Sequence, residues 1–91
     1  MDSQVGIISA TDAIKEFLME KNKRYGDSAL NPRRMFSKLS SDEGIKVRLD
    51  DKLNRIQNSE NLRKNDVADI LGYLVLLCIS KGWTDFKDLI D

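Results

Sequence analysis

Two segments decide the fold of this chain: RLDDKLNRI at residues 48–56 and KNDVADILGY at residues 64–73. In the first segment, charged residues recur at i, i+3, i+4 and i+7, so they share one face of a helix. In the second, Asp66, Asp69 and Tyr73 recur at i, i+3 and i+7. Each charged face lies beside an apolar one, and carboxylates that converge between two such helices need a cation or a hydrogen-bond donor. The two segments therefore predict a helical bundle with a charged site between its helices.

Size and composition indicate a single all-α domain over residues 1–91. Of the 91 residues, 41% are hydrophobic and 33% are charged, and there are five glycines and one proline. This composition is typical of a globular chain and leaves little room for a loop-rich fold. A domain this small buries a modest fraction of its surface, so oligomerisation is a common source of additional stability.

The charge balance and the missing residue types exclude several classes of function. Fifteen basic residues balance 15 acidic ones, which argues against broad binding to nucleic-acid backbones. Without histidine the chain has no Ser-His triad and lacks the usual zinc ligand. The apolar run 70–79 is too short to span a bilayer, and its single cysteine, Cys78, is interpreted as a buried thiol. No signal peptide is recognised at residues 1–10, so we expect a cytoplasmic protein without a membrane partner.

Periodicity and capping signals predict three main helices plus short helices. Thr11 is expected to cap the first main helix and Ser40 and Ser41 the second, while Pro32 is placed to start a short helix. The predicted bounds are 11–24, 41–57 and 61–81 for the main helices, 33–39 and 83–91 for short ones, and 1–9 for a loose or partner-contacting arm.

The third main helix carries more apolar surface than its neighbours can cover. Its apolar residues span more than half of the helix circumference, which two short helices cannot enclose. Gly72 inside this helix costs about 1 kcal/mol relative to alanine, so we expect a close helix contact there. The surplus predicts a homo-oligomer. The apolar residues are Val67, Ile70, Leu71, Leu74, Val75, Leu77 and Cys78.

Asp66 and Asp69 on one helix face are candidate metal ligands, with Asp51 of the preceding helix as a third. Mg²⁺ prefers oxygen ligands and often uses a few carboxylates together with substrate phosphates. A plainer interpretation stays open beside this one. Asp66 also suits the helix dipole at its position. Asp51 and Asp69 can form ordinary ion pairs with Arg48, Lys52 or Arg55.

A basic and aromatic stretch joins the first two helices. Cations there can bind phosphate and a tyrosine can stack on a base or a sugar, so the stretch is a candidate nucleotide site. The alternative is a solvated loop with its tyrosine packed as a cover. Tyr73 is interpreted as a core tyrosine, and Trp83 as a core or interface anchor. The residues of the candidate site in this stretch are Lys21, Arg24, Tyr25, Asn31, Arg33 and Arg34.

Three stretches resemble a known family: KNKRYGDSALNP (21–32), RLDDKLNRI (48–56) and NDVADILGYL (65–74). They are similar to small phage proteins of the nucleotide-modification-associated type, which in turn resemble the MazG-like all-α nucleotide pyrophosphohydrolases. The similarity covers residues 10–82, with the stretches in the same order. It implies a MazG-like helical bundle that assembles as an oligomer, binds a nucleotide in a helical cleft and acts in the cytoplasm of an infected host.

The resemblance also implies a metal site, and this sequence departs from it. In MazG-like enzymes, Glu-x-x-Glu on one helix and Glu-x-x-Asp on a later helix bind Mg²⁺. Asp66 and Asp69 match the later motif with a shortened first acid. The earlier motif has no clean match. Asp51 is the best stand-in, and Arg48 occupies the position three residues before it.

Two functions from different classes follow. As a capture protein, the chain binds a phosphorylated nucleotide in an inter-subunit pocket without hydrolysing it, and a cyclic or modified defence-signalling nucleotide is one candidate. As an enzyme, it is a Mg²⁺-dependent (d)NTP pyrophosphohydrolase, with water activated by an ion on Asp51, Asp66 and Asp69. A third interpretation is a structural oligomerisation module. The missing acidic motif favours capture. The cations expected to bind phosphate are Arg24, Arg33, Arg34, Arg48, Lys52 and Arg55.

Overall fold

The computed structural model describes residues 2–26, 30 and 40–90. Within these residues the chain forms helices and no strand, so the all-α class and the three main helices are confirmed. The short helix predicted at 33–39 lies outside the described residues. The helices are α1 (Ser3–Tyr25), α2 (Ser41–Gln57) and α3 (Lys64–Ser80), followed by a 3₁₀ turn at Lys87–Leu89.

α1 begins earlier than predicted, directly after Asp2. The Asp2 carboxylate accepts a hydrogen bond from the backbone N–H of Gln4 at 3.1 Å and caps the helix. Thr11 lies inside the helix, where its hydroxyl donates to the carbonyl oxygen of Ile7 at 2.7 Å. A hydroxyl that bonds one turn back does not act as a cap. The predicted cap at Thr11 is therefore wrong, and residues 3–9, expected to be loose, belong to α1.

α2 has the bounds that its sequence predicts. The Ser40 hydroxyl accepts a hydrogen bond from the backbone N–H of Glu43 at 3.2 Å, which satisfies one free donor of the first turn. Asp42 and Glu43 add negative charge where the helix dipole is positive. At the other end, the N–H of Asn58 closes the helix on the carbonyl of Asn54 at 3.0 Å.

α3 is shorter at both ends than predicted. It begins after Arg63, which makes no side-chain capping bond. Its C-terminus is a Schellman motif: the N–H of Trp83 donates to the carbonyl of Cys78 at 2.8 Å, and that of Gly82 to the carbonyl of Ile79 at 3.0 Å. Gly82 has φ +75°, which favours glycine at this position. The predicted extension to residue 81 is wrong because the chain turns here.

α3 lies between the other two helices and runs antiparallel to both. Asp42 at the start of α2 contacts Lys81 just after α3, whereas Arg55 near the end of α2 contacts Asp66 near the start of α3. On the other side, Lys21 of α1 contacts Asp69 of α3. The fold is therefore an antiparallel hairpin of α2 and α3 with α1 laid along α3.

α1 and α3 approach closely at Gly72. A Cβ built on Gly72 would lie 2.8 Å from Cδ2 of Leu18, closer than two carbon atoms can pack. The prediction of a close helix contact at Gly72 is confirmed. Continuing the register from Leu18 opposite Gly72 takes residues 3–9 of α1 past the end of α3, and Val5, Ile7 and Ile8 are more than half exposed there.

The hydrophobic core of the described chain is small. Ile45 of α2 is its one fully buried apolar side chain among the described residues. Cys78 is half-buried rather than buried as predicted, and Trp83 is exposed, so it is not a core residue of the single chain. Where a C-terminal helix was predicted at 83–91, the described residues 83–90 contain one 3₁₀ turn at Lys87–Leu89. None of the described helices has the length and apolarity needed to cross a bilayer.

A polar clamp ties the start of α2 to the end of α3. The Asp42 carboxylate accepts a hydrogen bond from the Ser80 hydroxyl and lies 2.8 Å from Nζ of Lys81. Hydrogen bonds from Lys81 and Ser80 lower the pKa of Asp42, and the bond to Asp42 raises the pKa of Lys81. Both shifts favour the charged pair, so the clamp closes the open end of the hairpin.

Candidate functional site

The predicted charged site forms around Asp69, at the level where the three helices come together. Lys52 of α2 places Nζ 2.9 Å from Oδ2 of Asp69, and both side chains are about four-fifths buried. Lys21 of α1 places Nζ 3.7 Å from Oδ1 of the same carboxylate, on the more exposed side. One carboxylate of α3 thus holds a lysine from each of the other helices.

Arg48 lies near this group, one helical turn before Lys52 in α2. Its guanidinium carbon lies 5.9 Å from the ring centroid of Tyr73, within the range of a cation–π contact. Tyr73 is half-buried one helical turn after Asp69. Lys21 makes a similar contact, with Nζ 5.1 Å from the ring of Phe17. We call Lys21, Arg48, Lys52 and Asp69 the charged cluster; it holds three positive charges and one negative charge.

The charged cluster borders a cleft of about 900 Å³ between α1 and α3. Lys21, Arg48, Asp69 and Tyr73 line the cleft, together with Tyr25 at the end of α1. The rest of the lining is largely apolar and is contributed by both helices. A cleft with apolar walls and a few charged groups at one end is the usual form of a small-molecule site. Its apolar walls include Ile14, Leu18, Val75, Leu76 and Ile79.

Asp66 forms a second ionic contact deeper in the hairpin. Its side chain is fully buried, with 0% of the residue exposed, and Nη1 of Arg55 lies 3.5 Å from Oδ1. Among the described residues neither carboxylate oxygen has a hydrogen-bond partner. A buried carboxylate normally needs such partners. Asp66 is therefore the least satisfied polar group in the described part of the chain.

The three predicted metal ligands do not come together as one set. Asp51 is exposed on α2, whereas Asp66 is buried and Asp69 is already paired with two lysines. The described residues hold no group of three or more His, Cys, Asp or Glu side chains that could bind a metal ion. The alternative interpretation expected ion pairs for Asp51 and Asp69. Asp69 pairs with Lys52, and Asp66 pairs with Arg55, whereas Asp51 has no ion pair with a described residue. A magnesium site stays a prediction.

The residues of the predicted basic and aromatic stretch do not all lie at the cleft. Lys21 and Tyr25 line the cleft. Arg24 instead pairs with Glu20 on the exposed side of α1, with Nε 3.2 Å from Oε1. The three remaining predicted residues of this stretch, Asn31, Arg33 and Arg34, lie outside the described residues.

Sequence reasoning missed the apolar walls of the cleft. Ile14 and Leu18 of α1 and Val75 of α3 contribute to these walls, and their apolar side chains alone do not distinguish a core residue from a cleft residue. The missing information was the register between α1 and α3, which periodicity within either helix does not contain. Gly72 carried part of the signal, because it marks the level at which the two helices touch.

Comparisons with known proteins do not add to this geometry. No protein-family model matches the sequence, and no similar protein was found among curated proteins or among solved structures.

Proposed function

We propose that this protein captures a phosphorylated nucleotide in the cleft between α1 and α3. The observation that carries the proposal is the charged cluster: cations from α1 and α2 meet around one carboxylate of α3, beside two tyrosines, at the end of a cleft large enough for a nucleotide. The resemblance to nucleotide-handling phage proteins adds support from the same residues.

The charged cluster supplies the phosphate-binding charge. Lys21 and Arg48 line the cleft together with Asp69, so the members of the cluster that face the cleft carry a net positive charge. Arg48 is exposed and offers a planar guanidinium with several donors, which suits two oxygens of one phosphate. Lys21 is half exposed and can turn from Asp69 toward a ligand. Lys52 is more deeply placed and keeps Asp69 neutralised.

The tyrosines supply the surface for the base or the sugar. Tyr73 is held under Arg48 and lines the cleft, while Tyr25 is exposed at the same end. Aromatic faces stack on any base, so they contribute affinity with little selectivity among bases. A cyclic or modified nucleotide of a host defence pathway is the ligand class we propose first, bound in the cytoplasm of an infected cell.

The capture form is a homo-oligomer with the ligand enclosed between subunits. The cleft lies mainly between α1 and α3, with Arg48 of α2 at its charged end, and large apolar side chains are exposed along α1 and α3. A single chain therefore leaves the ligand open to water on one side. Small-molecule sites usually bury most of the ligand surface, and enclosure by a second chain supplies this burial.

Titration calorimetry with matched variants tests this function. The ligands are nucleoside mono-, di- and triphosphates together with cyclic dinucleotides and trinucleotides. Arg48→Met and Lys21→Met each remove one charge-assisted contact, so we expect about tenfold weaker binding or more. Lys46→Met is the control, because Lys46 is exposed and pairs with Glu43 rather than with the cleft. Equal affinity in all three variants would remove the charged cluster from the site.

One observation favours the enzyme alternative, a Mg²⁺-dependent nucleotide pyrophosphohydrolase. Asp66 is buried without a hydrogen-bond partner among the described residues, one turn before Asp69, which is where a cation would relieve it. Two carboxylates with ligand phosphates can hold Mg²⁺. The test is pyrophosphate release with and without Mg²⁺. Turnover that is lost in Asp69→Asn and kept in Lys46→Met would favour the enzyme over capture.

A further inference from the structure

The cleft between α1 and α3 extends well beyond the charged cluster. Its charged end lies at Asp69, and Ile79, which also lines it, is about 15 Å further along α3 at a rise of 1.5 Å per residue. Because α1 runs antiparallel to α3, Thr11 lies at the level of Ile79, just as Lys21 lies opposite Asp69. The charged cluster and Tyr73 account for about one turn of this length. We call the part beyond Tyr73 the far end of the cleft.

The far end has apolar walls that are open to water. Ile14 of α1 lines it from one side, and Val75, Leu76 and Ile79 of α3 line it from the other. Val75 is 40% exposed and Ile79 is 48% exposed. Apolar surface of this kind gains free energy when another apolar group covers it. The far end therefore favours an apolar part of a ligand.

The polar groups of the far end are poorly suited to a base or a sugar. Among the described residues that line it, Thr11 and Lys15 have polar side chains. The Thr11 hydroxyl already donates to the carbonyl oxygen of Ile7 within α1. Lys15 is exposed, and an exposed lysine can lay its aliphatic stem along an apolar ligand while its ammonium stays in water. A base needs several placed donors and acceptors, whereas an acyl chain needs none.

We infer that the cleft also binds a saturated medium-chain fatty acid, with its carboxylate on Lys21 and Arg48 and its acyl chain along the apolar walls. Charge complementarity favours this ligand. Lys21 and Arg48 against Asp69 leave one positive charge at the lining of the charged end, and a carboxylate carries one negative charge. The exposed guanidinium of Arg48 suits both carboxylate oxygens.

The length of the cleft sets the length of the chain. An extended acyl chain advances about 1.25 Å per carbon, given C–C bonds of about 1.5 Å and tetrahedral angles. About 12 carbons therefore fill the distance of about 15 Å between the levels of Asp69 and Ile79. A cleft of about 900 Å³ has room for a single chain of this length.

This ligand class goes beyond the proposed nucleotide and shares only the charged end of the cleft with it. A fatty acid and a nucleotide should therefore compete for Lys21 and Arg48. Nucleotide binding without fatty-acid binding would overturn this inference alone. Fatty-acid binding without nucleotide binding would overturn the proposed function alone.

Titration calorimetry of the full chain with hexanoate, octanoate, decanoate and dodecanoate, each below its micelle concentration, tests the inference. Each added pair of methylenes that the walls bury should strengthen binding about tenfold. Decyltrimethylammonium has a chain of the same length as decanoate and the opposite head charge, so it should bind at least about tenfold more weakly. Affinity that does not depend on chain length, or equal affinity for the two head charges, would overturn the inference.

Two variants separate the head group from the chain. Arg48→Met should weaken binding of all four acids by about tenfold and keep the gain per added carbon pair. Val75 lies about 9 Å beyond Asp69 along α3, near the level of the seventh carbon. Val75→Gln should therefore leave hexanoate binding unchanged and reduce the gain from octanoate to dodecanoate. The matched control is Val47→Gln, the same exchange at an exposed valine of α2, which should behave as the wild type.

Helix content by circular dichroism confirms that the variants are folded. Val75 is partly exposed, so Val75→Gln should keep its helices. If it loses them, Ile79→Gln at the more exposed end of the walls replaces it, and only dodecanoate binding should weaken. A folded wall variant that keeps the wild-type gain with chain length, or a Val47→Gln variant that loses it equally, would overturn the inference.

Discussion

Replacing Asp69 by asparagine tests whether one carboxylate holds the three helices together at the charged cluster. The change keeps the shape of the side chain and removes its charge. Lys52 is then left with an amide in place of its counter-charge, although only 17% of its side chain is exposed. A cation that is largely buried and loses its partner destabilises the folded state, because the desolvation of its charge is no longer offset.

The size of the effect follows from the two contacts. The 2.9 Å contact with Lys52 is a partly buried, charge-assisted hydrogen bond, for which a loss of about 1.5–3 kcal/mol is typical. The 3.7 Å contact with Lys21 is half exposed on the lysine side and adds less than about 1 kcal/mol after solvent screening. We therefore expect the free energy of unfolding to fall by about 2–3 kcal/mol.

Urea denaturation at one fixed protein concentration is the assay, because association also affects apparent stability. With a slope of about 1–1.5 kcal/mol per molar urea, the midpoint should fall by about 2 M. Asp51→Asn is the control, since Asp51 is an exposed carboxylate of α2 without an ion pair to any described residue; its midpoint should stay within about 0.5 M. Equal midpoints for the two variants would refute the role given to Asp69.

Two further predictions concern the ends and the centre of the bundle. The folded state lowers the pKa of Asp42, so the stabilisation by the clamp should be present at neutral pH and be lost as the pH falls below about 4. The folded state raises the pKa of Lys81, so the same stabilisation should also be lost as the pH rises above about 10.5. The check is the difference in urea midpoint between wild type and Asp42→Asn, which should shrink toward zero at pH 3 and persist at pH 7. Gly72→Leu should force α1 away from α3 at Leu18 and destabilise the fold by about 1–3 kcal/mol, whereas an unchanged unfolding midpoint would mean that the close approach at Gly72 does not constrain the bundle.

The sequence was sufficient for α2 because its local signals agree with one another. A serine cap, acidic residues in the first turn and a regular apolar stripe all indicate the same start. α1 was less predictable, because Thr11 has the chemistry of a cap but lies in a longer helix that Asp2 already caps. Local signals cannot distinguish a cap from a hydroxyl that bonds the preceding turn.

The candidate site was predictable to the extent that it depends on spacing within one helix. The stripes containing Arg48, Lys52 and Asp69 follow from periodicity. In the structure Arg48 and Asp69 line the same cleft, and Lys52 forms an ion pair with Asp69. Which carboxylate pairs with which cation depends on the register between helices. Arg24 shows the same point, because its pairing with Glu20 takes it away from the cleft.

The most direct test of nucleotide capture is native mass spectrometry after incubation with the nucleotide panel in the presence of EDTA. We predict a complex whose added mass equals that of an intact nucleotide, because lysine and arginine rather than a metal ion bind the phosphates. We also expect recovery of the unmodified ligand after denaturation. Absence of any complex at millimolar nucleotide, or rapid Mg²⁺-dependent release of pyrophosphate without EDTA, would contradict nucleotide capture.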